Sequence, residues 1–342
     1  MLVQRLRTRL RVLVVLTSAL VVATPSLTVT AAAATCGGKD LIAEFARTAP
    51  ALHTRIEAEA ARTENTEALL WRVERAGSAP SHLFGTVHLS DARVATPPPK
   101  AMAAIAGAKT VALEVADLSP KALVAAMGKS GAKMFYGGDA RLDRKLEAAE
   151  FALVRGKLAS AGLPDQVAPM VRPWLAYMLL SVSDCERQRS ASGAQVLDMR
   201  IAAEAKKRGI PVVGLETLES QLAAMAAVDE GQQVEMLRAT LKHVDRADDL
   251  METMLQLYLD RRMGRAWPLT LVLAEQAGVA ASAFSGFESE LVVKRNHGMR
   301  DKALPLVKEG GAFIGVGALH LVGKTGLVTL LRQAGFTVTP VE

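Results

Sequence analysis

The sequence predicts an α/β or α+β fold, with a small mixed central sheet under extensive helical cover. Three observations predict it. Strand-like runs are few, short and apolar, as in "VALEV" (111–115) and "FIGVG" (313–317), the pattern of strands buried on both faces. Long stretches at helical spacing separate them, notably 119–192 and 230–263. Finally, two strand exits repeat one unit, an apolar run followed by Gly-x-x-His-Leu, in "HLFGTVHLS" (82–90) and "FIGVGALHLVG" (313–323).

Taken in chain order, residues 41–62 read as one helix, with Leu41, Ile42, Phe45, Leu52 and Ile56 near helical spacing. Residues 69–75 and 82–87 form a hairpin around Gly77-Ser78-Ala79-Pro80. The triple proline 97–99 stops the chain before a helix at 100–107. A buried strand follows in "TVALEVAD", carrying Glu114 near its end. Residues 119–192 are mostly helical, with turns at Gly137-Gly138 and Gly162-Leu163-Pro164. The next helix ends in Lys206, Lys207 and Arg208, which suit the negative end of its dipole. It closes at Gly209 and feeds a strand at 210–215. Two long helices, 230–263 and 285–308, lead to strand 312–316, a turn, helix 327–334 and strand 336–341.

Residues 1–35 stand apart from this pattern. Arg5, Arg7, Arg9 and Arg11 precede an apolar run at 12–23 and a small-residue stretch at 31–34. That is the layout of a secretory signal peptide, so the expected location is periplasmic or secreted, with no membrane span in the mature form; retention of the leader as an uncleaved anchor is the alternative. Four of the 41 basic residues lie in this leader, so the rest of the chain carries a net charge of +2. No Lys/Arg cluster interleaved with aromatics appears, which argues against nucleic-acid binding. Cys36 and Cys185 match no CxxC spacing. In an oxidising compartment they either pair or remain as two half-buried thiols.

The glycines near the C-terminus do not make a nucleotide site. Gly323-Lys324-Thr325 would need glycine at Ala318 for a phosphate loop, and Gly315-Val316-Gly317 would need it at His320 for a dinucleotide fingerprint. The chemistry instead points to the two histidines, His88 and His320. Glycine at a strand end lets another group approach closely, and the imidazole three residues on sits beyond the sheet edge, where open α/β sheets collect ligands. Glu114 and Glu216 end apolar strands in the same manner, and a buried carboxylate demands a cation, a metal or donors. Imidazole nitrogens with carboxylate oxygens suit a divalent ion such as Mn, Co or Zn. Asp198, mid-helix among apolar neighbours, reads as an internal cap or ion pair, and "TLESQ" (217–221) as helix-capping.

Together, "LFGTVHLS", "TVALEVAD", "MVRPWLAYMLL", "GAQVLDMRIAAEAKKRGIPVVGLETLESQL", "KRNHGM" and "GAFIGVGALHLVGKTGLVTLLRQAGFTVTPV" resemble the TraB/GumN family, which is related to the Tiki metalloproteases. The resemblance runs from about Trp71 to Val341. No long Pro/Gly/Ser linker divides the rest of the chain, so a single domain of this family's kind is expected over 36–342, with a helical insertion near 119–192. The resemblance also implies metal positions at His88, Glu114 and His320. The family's "ERN" segment stands here as Lys294-Arg295-Asn296, so its leading carboxylate is absent. The expected activity is that of an exported metal-dependent hydrolase, a peptidase first, acting on a peptide or protein substrate. Glu216 is then the expected general base and Arg295 the group that stabilises an oxyanion, with Asn296 the third expected catalytic residue. Against it stands a catalytically inactive periplasmic ligand-binding or envelope-assembly protein of the same fold.

Overall fold

The computed structural model describes residues 36–342, and the expected leader at 1–35 lies outside the described residues. Six strands form one mixed sheet: β1 (Leu70–Glu74), β2 (Ser81–Thr86), β3 (Thr110–Leu113), β4 (Val212–Gly214), β5 (Ala312–Gly317) and β6 (Thr337–Pro340). Their order is β4-β3-β5-β2-β1-β6. The four strands β4, β3, β5 and β2 run parallel, while β1 pairs antiparallel with both β2 and β6. Helices cover both faces, so the expected α/β architecture is the one the chain adopts.

Alternation along each strand divides the core in two. On one face Phe84, Val111, Leu113 and Phe313 pack with Ile105, Leu197, Ile201 and Leu255. On the other, Trp71, Leu83, Ala112, Ile314 and Val316 pack with Met299, Ala303, Leu327 and Leu331. Burying each large apolar side chain contributes about 1.5–3 kcal/mol, and a one-residue slip would turn every one to the wrong face. That pressure fixes the register Leu83↔Ile314 and Thr86↔Gly317, which sets the two Gly-x-x-His units side by side.

The stretch 119–192 supplies helices Pro120–Met134, Ala148–Ser160, Pro173–Leu180 and Asp184–Ala191. Part of it has a core of its own, where Val154, Leu158, Trp174 and Leu175 meet Leu237 and Leu241 of helix Glu230–Lys242. Cys36 and Cys185 are joined in a disulfide with a Cα–Cα distance of 5.7 Å, so the paired reading of the cysteines holds. Among the described residues no helix is long and apolar enough to cross a membrane.

Helix boundaries differ from expectation where local signals were overridden or passed over. The helix expected at 41–62 is two, Leu41–Thr48 and Pro50–Ala60. Pro50 cannot donate to the preceding turn and starts a new helix, with Ala49 at φ −146°. The helix expected at 230–263 breaks at His243, whose backbone leaves helical geometry at φ −117° while its Nε2 donates to the Leu273 carbonyl at 2.8 Å. A further helix, Ala266–Gln276, follows. Helix 285–308 is a continuous run whose middle, Glu288–Val293, widens into π turns before Lys294–Glu309.

Candidate metal centre

The parallel strands β2, β3, β4 and β5 open their C-terminal ends along one edge of the sheet, and each exit carries one candidate site residue. His88 follows β2, Glu114 follows β3, Glu216 follows β4, and His320 ends the short 3-10 turn Ala318–His320 after β5. Neighbouring register places β3 beside β5 and β5 beside β2. Glu114 and the two histidines, remote in sequence, therefore meet.

The two motif glycines serve space, since neither adopts a left-handed backbone. A Cβ on Gly85 would lie 2.9 Å from Leu321 Cδ1 and 3.1 Å from Ala318 Cα, so the second unit's turn rests directly on the first unit's glycine. A Cβ on Gly317 would lie 3.2 Å from Glu114 Oε1 and 3.6 Å from both His320 Cδ2 and His88 Nε2. Gly317 thus keeps open the point at which the three groups converge.

Each imidazole is oriented from behind. His88 Nδ1 lies 2.9 Å from Asp198 Oδ2, and Asp198 Oδ1 accepts from Thr86 Oγ1 at 2.8 Å. His320 Nδ1 lies 2.6 Å from Asn296 Oδ1, while Asn296 Nδ2 donates to the Thr325 carbonyl at 2.8 Å. A carboxylate only accepts, and the amide's donor side is already used, so both Nδ1 atoms are donors. Each Nε2 then points forward, 3.8 Å (His88) and 3.9 Å (His320) from the same oxygen, Glu114 Oε1. These separations are too long for hydrogen bonds. Each pair is short enough for its nitrogen and oxygen to share one ion through bonds of about 2.0–2.2 Å, but the three donor atoms do not all lie within 4.8 Å of one another, so the two rings must draw together for all three to bind it.

Behind Glu114 sits an arginine node. Arg295 Nη2 donates to Glu114 Oε2 and to Glu216 Oε2, both at 2.6 Å; Arg295 Nε reaches both Glu216 oxygens at 3.1 Å. Arg295 Nη1 donates to the Leu291 carbonyl at 3.2 Å. Gln221 Nε2 bridges Glu114 Oε2 and Glu216 Oε2 at 3.0 and 3.3 Å. The atoms expected to act as a general base and an oxyanion holder are therefore engaged with one another. The expected cap on the helix after β4 is formed by Thr217 and Ser220, while Gln221 turns inward to the carboxylates.

The charges follow from this wiring. Burial pushes the Glu114 carboxyl up, but His320, His88, Arg295 and the Gly317 N–H at 2.6 Å outweigh it and hold it at about 2. Burial drives His320 down to about 4. It is then neutral near pH 7, where His88, Arg295 and the Gly317 N–H remain the standing partners of Glu114. Burial also opposes charge on His88, yet Asp198, with Glu114 behind it, raises the ring to about 9. The His88 side chain is 58 % exposed. Solvent around the exposed ring weakens that opposition, so the upward direction stands.

The residues fit a divalent ion by chemistry: two imidazole nitrogens with fixed tautomers, one ionised carboxylate oxygen, and a position kept clear at Gly317. Among the described residues the group of three donors that all lie within 4.8 Å of one another is Cys36, Cys185 and Asp248. Its sulfurs are spent in the disulfide and offer no thiolate. His88, Glu114 and His320 form a looser set joined through Glu114 Oε1.

A family model for the TraB/PrgY/gumN family matches residues 69–340. The chain belongs to this family. This TraB/PrgY/gumN chain is also 25 % identical over 326 residues to "Metalloprotease TIKI2" of Xenopus tropicalis, covering 80 % of the present chain. It spans about 60 % of the length of that relative. No solved structure matches. The family resemblance read from 71–341 is thereby confirmed. Asp198 and Gln221 are the centre's residues that sequence reasoning assigned elsewhere. The signal for Asp198 was present, as an acidic residue among apolar helix neighbours.

Proposed function

We propose that the protein is an exported, divalent-metal-dependent peptidase whose ion, Mn, Co or Zn, is held by His88, His320 and Glu114. One observation carries the reading: two imidazoles, each tied at Nδ1, present Nε2 to a single carboxylate oxygen. A metal bound there supplies polarisation of a peptide carbonyl and a water acidic near neutral pH. The chain's own residues do the positioning. Asp198 and Asn296 fix the two rings, and Gly317 leaves the clearing between them. Arg295 bridges Glu114 and Glu216, and its single positive charge offsets the repulsion between the two carboxylates. Glu216 serves as general base once one of its bonds to Arg295 opens. The exposed ring of His88 is the side on which substrate arrives. The Arg-rich leader and the disulfide support a periplasmic or secreted setting.

A second reading, a ligand-binding protein of the same fold, is favoured by the engagement of both Glu216 oxygens with Arg295, which leaves no free base at rest. Metal analysis combined with peptide profiling separates the two. The wild type should retain a divalent ion and cleave peptides, and His88→Ala or His320→Ala should lose the ion and at least about a thousand-fold in rate. Unchanged metal content in His88→Ala sinks the coordination scheme. Metal retained with no turnover of any peptide favours the binder.

A further inference from the structure

A cavity of about 600 Å³ is lined by none of His88, Glu114, Glu216, Arg295 or His320, yet residues close to them in sequence line it. Its apolar lining includes Ile56, Trp267, Leu271 and Val272. Val292 and Val293, at the end of the π-turn segment shortly before Arg295 and Asn296, also line it. So do Leu319, Val322 and Thr325. Leu319 adjoins His320 in sequence, about 3.8 Å away Cα to Cα, and the Thr325 carbonyl anchors Asn296. Two of the lining arginines are paired with lining glutamates, Arg55 with Glu275 at 2.6 Å and Arg62 with Glu59 at 2.8 Å. The volume lies in the range of small-molecule pockets. Trp267 stacks on Phe287 with a centroid distance of 6.1 Å and an interplanar angle of 17°, which holds its ring in place.

We propose that this cavity is the subsite for an apolar, preferably aromatic, side chain of a peptide laid across the centre. This rests on the peptidase reading. The cavity offers apolar lining and a stacked indole, and the segments that carry His320 and Arg295 both contribute to that lining. A side chain seated there is thereby tied to the position of the scissile bond.

The three tryptophans make the test direct. Trp71 and Trp174 are 0 % and 1 % exposed, so Trp267 is the indole that a cavity occupant can perturb. Titration with N-acetyl-Ala-Phe-amide should shift tryptophan emission at a concentration at least about ten-fold lower than N-acetyl-Ala-Ala-amide requires. Val322→Phe, which fills the cavity, should abolish the difference. Cleavage profiles should move in parallel, with the wild type preferring Phe-containing peptides and Val322→Phe losing that preference. Equal response to both peptides, or an undiminished response in Val322→Phe, overturns the inference. Failure of the wild type to cleave any peptide overturns the peptidase reading instead, and the emission titration still decides the cavity.

Discussion

The two Gly-x-x-His units are near-copies in sequence and opposites in chemistry. His88 is largely exposed, backed by a carboxylate, and raised to about 9. His320 is buried, backed by a neutral amide, and lowered to about 4. The strand–glycine device delivers a ring to the sheet edge in both cases. What stands behind the ring sets its charge. One unit therefore offers a neutral nitrogen at once, whereas the other must release a proton to bind an ion, so ion uptake should be accompanied by proton release.

The comparison can be broken most severely at the residue that serves both halves. Arg295→Met leaves Glu114 and Glu216 buried beside each other without their cation, and should destabilise the fold by about 3–5 kcal/mol. Denaturant titration measures it; a loss below about 1 kcal/mol would mean that the carboxylates find other partners. Next comes the backing group itself. Asp198→Asn should weaken metal binding about ten- to hundred-fold and bring the His88 titration down from about 9 towards the ordinary value near 6.5. His320 should titrate as before, and imidazole NMR signals followed against pH distinguish the two rings. Movement of both rings together would show that the units are not independently tuned. The mildest change compares the glycines. Gly85→Ala should cost about 1–2 kcal/mol in stability, because the Ala318 backbone 3.1 Å from the new methyl cannot give way. Gly317→Ala should spare stability and instead lower metal retention, since its methyl enters the clearing between Glu114 and the histidines. Melting curves paired with metal analysis read both, and equal behaviour of the two variants would remove the distinction.

Much of this arrangement was legible because it is local. A strand-end glycine with an imidazole three residues later, and an acidic residue ending an apolar strand, are patterns within ten residues. They name His88, His320, Glu114 and Glu216. Pairing across the sheet then brings Glu114 and the two histidines together. What was not legible is second-layer wiring. Asp198 lies 110 residues from His88, and its carboxylate becomes meaningful only when helix Leu197–Lys207 is packed on the sheet against β3 and β4. Gln221 shares a stretch with a real capping box, and the stronger local signal hid its reach to Glu114. The break before Pro50 was written in the residues and passed over in favour of periodicity. The π turns ahead of Arg295 carry no composition mark at all.

The bond between Cys36 and Cys185 closes a covalent ring of chain around two of the proposed ligands, His88 and Glu114, and leaves His320 outside it. A single backbone cut in the exposed helical surface between 119 and 184 would therefore not shed anything. The nicked molecule should migrate as one species without reductant and as two with it, and the edge of the sheet should stay assembled through damage that would dismantle an unbridged chain.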